Sequence, residues 1–375
     1  METTLVPFCD ISDVGGEFSY GDCLSSAGGP GTCTRTRGPT SDLHSFAYIN
    51  PYPDSVAHAH IDIPDLAGQT WLITGATSGV GLETARAASR AGARVILAVR
   101  DTERGRQVAA QLPGETRVVE VDLASLESVR RAAGELTGVG GGDAEGRAGG
   151  QIGRVAGEKA DGEVEQIDVL VNNAGAITPR RCETADGFEM LLGVNVLGPF
   201  LLTNLLLPLV RRRVVIVASN AHKSGSFDVD DPHFRRRRWT PAAAYAQSKL
   251  GDMLWGLALD QRLRDGRAEA AAAGVGVQLT HPGWAATGIS DATGSAAIDR
   301  VVTGVCSLFA QPAAQAALTT MFAATRPLPP CSYTGPDAMR HLRGIPTLIG
   351  RSAEASDPAI AERFWEFAAA ETATD

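Results

Sequence analysis

Lysine is nearly missing from this 375-residue sequence: three Lys, at 159, 223 and 249, stand against 31 Arg. With 42 Gly and abundant Ala, that ratio reads as the codon bias of a GC-rich genome. Positive charge is short overall. The formal net charge is −9, which argues against a general nucleic-acid or polyanion binder, so no nucleic-acid partner is expected. Among the six cysteines, 9, 23, 33, 182, 306 and 331, no pair has C-x-x-C spacing and no His stands at ligand distance from a pair, so no metal site is expected. The N-terminus carries acids but no Arg or Lys before Arg35, and it has no continuous apolar run of the secretory kind. Reduced thiols and a cytoplasmic location are the expectation. Long hydrophobic runs are lacking too. The longest, LGPFLLTNLLLPLV at 197–210, has 14 residues and is followed at once by RRR; it is expected to be a buried helix and not a membrane span.

What remains is ordinary globular composition, 44% hydrophobic and 21% charged. Residues 1–60 are rich in Gly, Ser, Pro, Thr and Asp without a sustained period, and are expected to be a disordered tail. Beyond them, apolar β-rich runs at 71–74, 94–99, 117–121, 167–171, 214–218 and 275–280 alternate with helical stretches such as 82–91, 124–135, 186–210 and 242–265. This alternation predicts an α/β fold over 61–350: a single doubly wound Rossmann-type domain, its parallel sheet covered by helices on both faces. Two stretches break the pattern. Residues 138–163 are Gly-rich and read as a surface insertion, and 223–240 read as a long substrate loop expected to shape the pocket, its four arginines either a solvated face or a contact for an acidic substrate or partner. Residues 351–375 are expected to form a C-terminal helical segment.

The first strand runs into TGATSGVGLETA, which sets Gly75, Gly79 and Gly81, with Ser78 and Val80 between them, at the start of a helix. Glycines there let a pyrophosphate approach the free N–H groups of the helix N-terminus. The spacing is G-x3-G-x-G, not the commoner G-x-G-x-x-G. An NAD site carries an acid at the end of the second strand to bond the ribose hydroxyls; here Val99 holds that place and Arg100 follows. A guanidinium suits a 2′-phosphate, which favours NADP over NAD. Asp101 reads as the cap of the next helix. Further on, YAQSK at 245–249 puts a phenol and an ammonium four residues apart, on one face if the segment is helical. A partly desolvated ammonium favours a phenolate and makes a phenol a usable acid or base; a solvated pair does not.

Taken together, TGATSGVG (74–81), VDLAS (121–125), NNAG (172–175), VNVLGPF (194–200), VVIVASNAH (214–222), YAQSK (245–249) and HPGWAAT (281–287) resemble the short-chain dehydrogenase/reductase family. VNVLGPFLLT, the long loop before the Tyr, and YTGPD near the C-terminus resemble its retinol dehydrogenase-like branch. The resemblance implies a catalytic Ser219, Tyr245 as acid/base, and Lys249 binding the nicotinamide ribose and activating the Tyr. It implies Asn195 holding a water of the proton relay and Asp122 and Leu123 at the adenine. Asn173, Ala174 and Gly175 would line the cofactor cleft, with Pro282, Gly283 and Thr287 flanking the carboxamide. One departure is Ala218–Ser219 where the family has Ser-Ser; the catalytic Ser is the second of the pair, so the role survives.

Two functions from different classes follow. The first is an NADP-dependent oxidoreductase interconverting an alcohol and a carbonyl on a small hydrophobic substrate. The second is a catalytically silent dinucleotide-binding sensor on the same fold. The intact Ser219, Tyr245, Lys249 and Asn195 set favours the enzyme. A homodimer stays open as an assembly. His281 reads as a turn or cap residue, His222 as either a loop hydrogen bond or a substrate contact, and Trp255, Phe188 and Phe200 as core.

Overall fold

All six expected apolar runs are strands: β1 (Thr70–Thr74), β2 (Arg94–Val99), β3 (Thr116–Glu120), β4 (Ile167–Asn172), β5 (Val210–Val217) and β6 (Gly276–Thr280). Two strands join them that the sequence pattern did not announce, β7 (Tyr333–Ala338) and β8 (Arg343–Leu348). The sheet order is β3-β2-β1-β4-β5-β6-β7-β8. Every neighbouring pair is parallel except β7–β8, which closes the edge as an antiparallel hairpin. The protein was studied as a computed structural model that describes residues 61–138, 166–268, 270, 274–284 and 311–373. These all lie in one unit, Tyr48–Asp375. The expected tail, the expected insertion beyond Gly138, and Thr287 lie outside the described residues.

Helices cover both faces. α1 (Gly79–Arg90), α2 (Thr102–Ala109) and α3 (Leu126–Thr137) follow the first three strands. Asp101 caps α2 by accepting from Arg104 N, and Ser125 caps α3 by accepting from Ser128 N. The apolar run expected as a buried helix forms α4 (Met190–Leu192), a π segment (Gly193–Leu197) and α5 (Gly198–Leu206). By length and composition Met190–Leu209 could cross a membrane, yet 78% of its apolar window is buried inside the fold. It is a core helix: Leu197, Phe200 and Leu206 are fully buried. Gly198 lets it approach the chain after β3, since a Cβ there would stand 2.5 Å from Leu123 O.

α6 (Pro241–Arg264) carries the Tyr–Lys pair. Thr240 caps it, accepting from Ala243 N at 3.1 Å, and Pro241 pre-sets its first turn. It is buried nearly all round because glycines admit neighbours on two sides. A Cβ on Gly256 would stand 2.8 Å from Ile216 Cδ1 in the sheet, and one on Gly251 would stand 2.8 Å from Phe364 Cζ. Phe364 belongs to the last helix, α8 (Pro358–Thr372), while α7 (Ala313–Thr325) packs on the other face beside α1. The C-terminal segment is thus part of the main core, with Phe364 and Trp365 inside it.

Candidate active site

In a parallel sheet that winds outward both ways from a central pair, a crevice opens at the strand C-termini where the order reverses. Here β1 and β4 are that pair. A cleft of about 1310 Å³ opens there, lined by residues that follow β1 through β6. Its lining includes the expected Gly75, Arg100, Asp122, Asn173, Ser219, Tyr245, Lys249 and Gly283 together. Ser78, Gly79, Val80, Gly81, Leu123, Ala174, Gly175 and Pro282 line it as well. Asn195 stands behind the lining and reaches it through hydrogen bonds with Ala176, which is part of that lining.

The glycine turn is shaped for an anion. Gly75 and Gly79 adopt φ of 66° and 57°, a region that L side chains avoid. A Cβ on Gly81 would collide with Asn173 Nδ2 and stand 2.6 Å from Gly75 O. Asn173 in turn donates from Nδ2 to Thr74 O at 2.9 Å, which ties the NNAG loop to β1. Ser78 occupies the N-cap of α1 without a side-chain cap bond, and the first turn carries no acid. The N-terminal N–H groups of α1 therefore face the cleft with no protein anion against them, unlike those of α2 and α3. This cradle fits the pyrophosphate of a dinucleotide.

At the far end of the same cleft stand Arg100 and Arg104, both exposed. Asp101 lies between them, and its carboxylate is engaged by Arg104 N at 3.0 Å. Arg104 was not singled out from sequence, because it is one of many arginines; only the first turn of α2 brings it beside Arg100.

The reactive end is built on α6 and the β5 terminus. Tyr245 and Lys249 lie one turn apart, with Nζ 5.8 Å from the Tyr ring centroid. The Tyr ring packs against Leu191, Phe234 and Ala244, so it faces the cleft from an apolar bed. Lys249 is 6% exposed; Nζ donates to Val217 O at 2.9 Å and to Asp252 Oδ2 at 2.8 Å. Ser219 caps the short 3-10 turn Asn220–Ser224, its Oγ accepting from Ala221 N at 3.2 Å. That leaves its O–H free to donate into the cleft. Asn195 sits in the π segment, a distortion common at functional sites. Its carboxamide accepts from Ala176 N at 2.6 Å and donates to Ala176 O at 3.1 Å and Ser248 Oγ at 3.0 Å. Both ends of that side chain are spent locking the NNAG loop to α6.

Two histidines flank the site. His222 bonds Ser219 O through Nδ1 at 2.7 Å and accepts from Ser352 N at Nε2 at 3.2 Å, so it is a loop clamp. Burial is the main cause that lowers its pKa to about 4. His281 lines the cleft wall at 5% exposure, and burial pushes its pKa down to about 3. Beyond Tyr245 the cleft wall is apolar, with Ile177, Met190, Val194, Trp284 and Leu342 on it. In the 223–240 loop, Asp231 accepts backbone N–H bonds from Arg235, Arg236 and Arg237, while the side chains of Arg235, Arg236 and Arg238 are exposed. Among the described residues no cluster of metal-ligating side chains occurs.

The short chain dehydrogenase family matches residues 69–139 and 153–230. Retinol dehydrogenase 13 of Mus musculus is 34% identical over 313 residues, covering 80% of this chain and 82% of that protein. Polyprenol dehydrogenase of Mus musculus is 38% identical over 242 residues, covering 59% of this chain and 64% of that protein. Against the human form of retinol dehydrogenase 13, at 36% identity, the match spans 62% of its length, so this chain matches under two thirds of some relatives. A crystal structure of an uncharacterised protein from Mycobacterium paratuberculosis is similar with a TM-score of 0.65 and 36% identity, covering 84% of this chain and 97% of that one. With its glycine cradle, its Tyr–Lys pair and these relatives, the chain belongs to the short-chain dehydrogenase/reductase family, in the retinol dehydrogenase-like branch of these oxidoreductases.

Proposed function

We propose that this protein interconverts a hydrophobic alcohol and its carbonyl with NADP as the preferred cofactor. The observation that carries the reading is the placement of Tyr245 and Lys249, one turn apart on α6, in the same cleft as the glycine cradle. When bound, the nicotinamide supplies or accepts the hydride. Tyr245 gives the carbonyl oxygen a proton in reduction and takes it back in oxidation. The buried Lys249 charge favours the phenolate because it acts at short range and away from water. Ser219 O–H bonds the substrate oxygen and fixes its angle. Asn195 holds the loop that floors the site.

The NADP preference rests on two features. Arg100 and Arg104 both border the cleft where a 2′-phosphate belongs. Asp101, an acid that lines the cleft between them, is held as a helix cap by the bond its Oδ1 accepts from Arg104 N. The substrate class rests on the apolar wall of Ile177, Met190, Val194, Trp284 and Leu342, and on the alcohols named for the relatives, retinol and polyprenol.

A panel of hydrophobic aldehydes, ketones and alcohols, long-chain isoprenoids included, run with each cofactor, tests this reading. NADPH consumption with at least one carbonyl is expected. Tight NADPH binding without turnover across the panel would contradict it and favour the sensor.

A further inference from the structure

Asp252 lies one turn beyond Lys249 on α6 and is 2% exposed. Its Oδ2 accepts from Lys249 Nζ at 2.8 Å, and both side chains are out of water. A buried ion pair is a poor source of stability, since desolvating two charges offsets their attraction. Asp252 carries that penalty visibly: burial raises its pKa to about 6, against the opposing pull of Lys249. A buried carboxylate that folding disfavours, placed against the lysine of the reactive cluster, points to a role in that cluster.

The lysine has the converse problem. Burial by itself drives an ammonium toward the neutral amine, and a neutral Lys249 exerts no charge on Tyr245. In the folded chain burial is the largest influence on Lys249 and lowers its pKa, yet Asp252 first and Tyr245 second reverse the direction, and the net shift is upward. Geometry adds direction to charge. An ammonium has three donors; Asp252 and Val217 O take two, which fixes the third. Gly175, which lines the cleft, stands beside the ammonium: a Cβ there would lie 3.9 Å from Nζ, in ordinary contact. Other charged or titratable groups on the elements packed around α6 are Glu189, Arg211, Arg212, Arg213, His222, Lys223, Glu354, Arg363, Glu362, Glu366 and Glu371. None of these is among the causes acting on Asp252 or Lys249.

We propose that Asp252 is the positioning residue of the proton-transfer pair: its buried carboxylate keeps Lys249 charged and aims its remaining donor into the cleft beside Tyr245. The role rests on the proposed function of the same site, but its main test needs no turnover. The chain has three lysines, so protein labelled with carbon-13 at lysine Cε gives three resonances, and Lys249→Met identifies one of them. Titrated with pH, the Lys249 resonance in wild type is expected to stay at its charged position well into the alkaline range. In Asp252→Asn it is expected to titrate at least about one pH unit lower, about a ten-fold loss of proton affinity. Asp252→Ser, smaller and uncharged, gives the same comparison should the carboxamide disturb packing. A Lys249 resonance that stays charged over the same range in both variants as in wild type overturns the proposal. With any substrate that wild type turns over, the alkaline limb of kcat is expected to move down with the resonance. A purely structural pair would lower kcat at every pH without moving that limb, and that result would also overturn the role. Failure of wild type to turn over any substrate counts against the proposed function and leaves the titration to decide on Asp252.

Discussion

At the scale of single residues, the cleft separates what spacing alone conveys from what folding adds. Tyr245 and Lys249 were legible because a four-residue interval has one meaning on a helix face. Gly75, Gly79 and Gly81 were legible because they follow a strand and open a helix. Asp252 was not: an acid three residues after a lysine reads as a solvated pair until packing removes the solvent. Arg104 was hidden among 31 arginines until α2 turned it beside Arg100. Arg100→Ala is expected to weaken NADPH by about ten-fold or more, the scale of one charge-assisted hydrogen bond, and to leave NADH nearly unchanged. Arg104→Ala is expected to act in the same direction. Titration calorimetry with both cofactors measures this, and equal losses for NADPH and NADH would remove the 2′-phosphate from Arg100. Gly81→Ala forces a Cβ against Asn173 and Gly75 O. It is expected to lower both Tm and NADPH affinity, and wild-type values for both would contradict the close packing of the cradle.

Whole elements were legible in proportion to how regular their apolar pattern was. β1, β2, β4 and β6 and the second half of β5 are apolar runs buried on both faces, and they stand where the pattern put them; β3 is an edge strand and only partly buried. β7 and β8 escaped because YTGPDA and RGIPTL carry Gly and Pro, which strands avoid except at an edge. β8 forms that edge, and β7 lies between it and β6. The C-terminal helix was foreseen as a segment but not as core. Phe364 reaches the Gly251 notch of α6 and meets Phe227 edge-on at 4.6 Å between ring centroids. Phe364→Ala is expected to cost about 3–5 kcal/mol, the usual range for emptying an aromatic core site. The midpoint of urea unfolding reads this directly, and a change under about 1 kcal/mol would show that α8 is dispensable to the core.

For the whole molecule, the doubly wound sheet decides where chemistry can happen. Strand order reverses between β1 and β4, and every catalytic or cofactor candidate among the described residues except Asn195 lines the cleft that opens there. That much the order of strands and helices in the sequence already implied. The buried titratable groups, which the sequence could not reveal, set how the fold responds to pH. His222 and His281 stay neutral in the fold down to about 4 and about 3, against an ordinary value of 6.5. Their contribution to stability is complete above pH 6.5 and is lost as pH falls toward those values, because the unfolded chain takes up protons first. Asp252 works the other way: raised from 3.8 to about 6, its contribution is present below 3.8 and lost as pH rises through 6. Asp260, also raised by burial, acts in the same direction as Asp252, so the component of Tm that falls between pH 6.5 and 4 is the one set by the two imidazoles. His222→Gln should make that fall shallower, and an unchanged slope would contradict the buried neutral imidazole. The central claim is that Tyr245 moves the proton while the rest of the cleft holds the cofactor. Turnover of Tyr245→Phe against wild type, at matched NADPH saturation, tests it most directly. NADPH affinity within a few-fold of wild type with turnover lower by about a hundred-fold or more is the predicted result; undiminished turnover would contradict it.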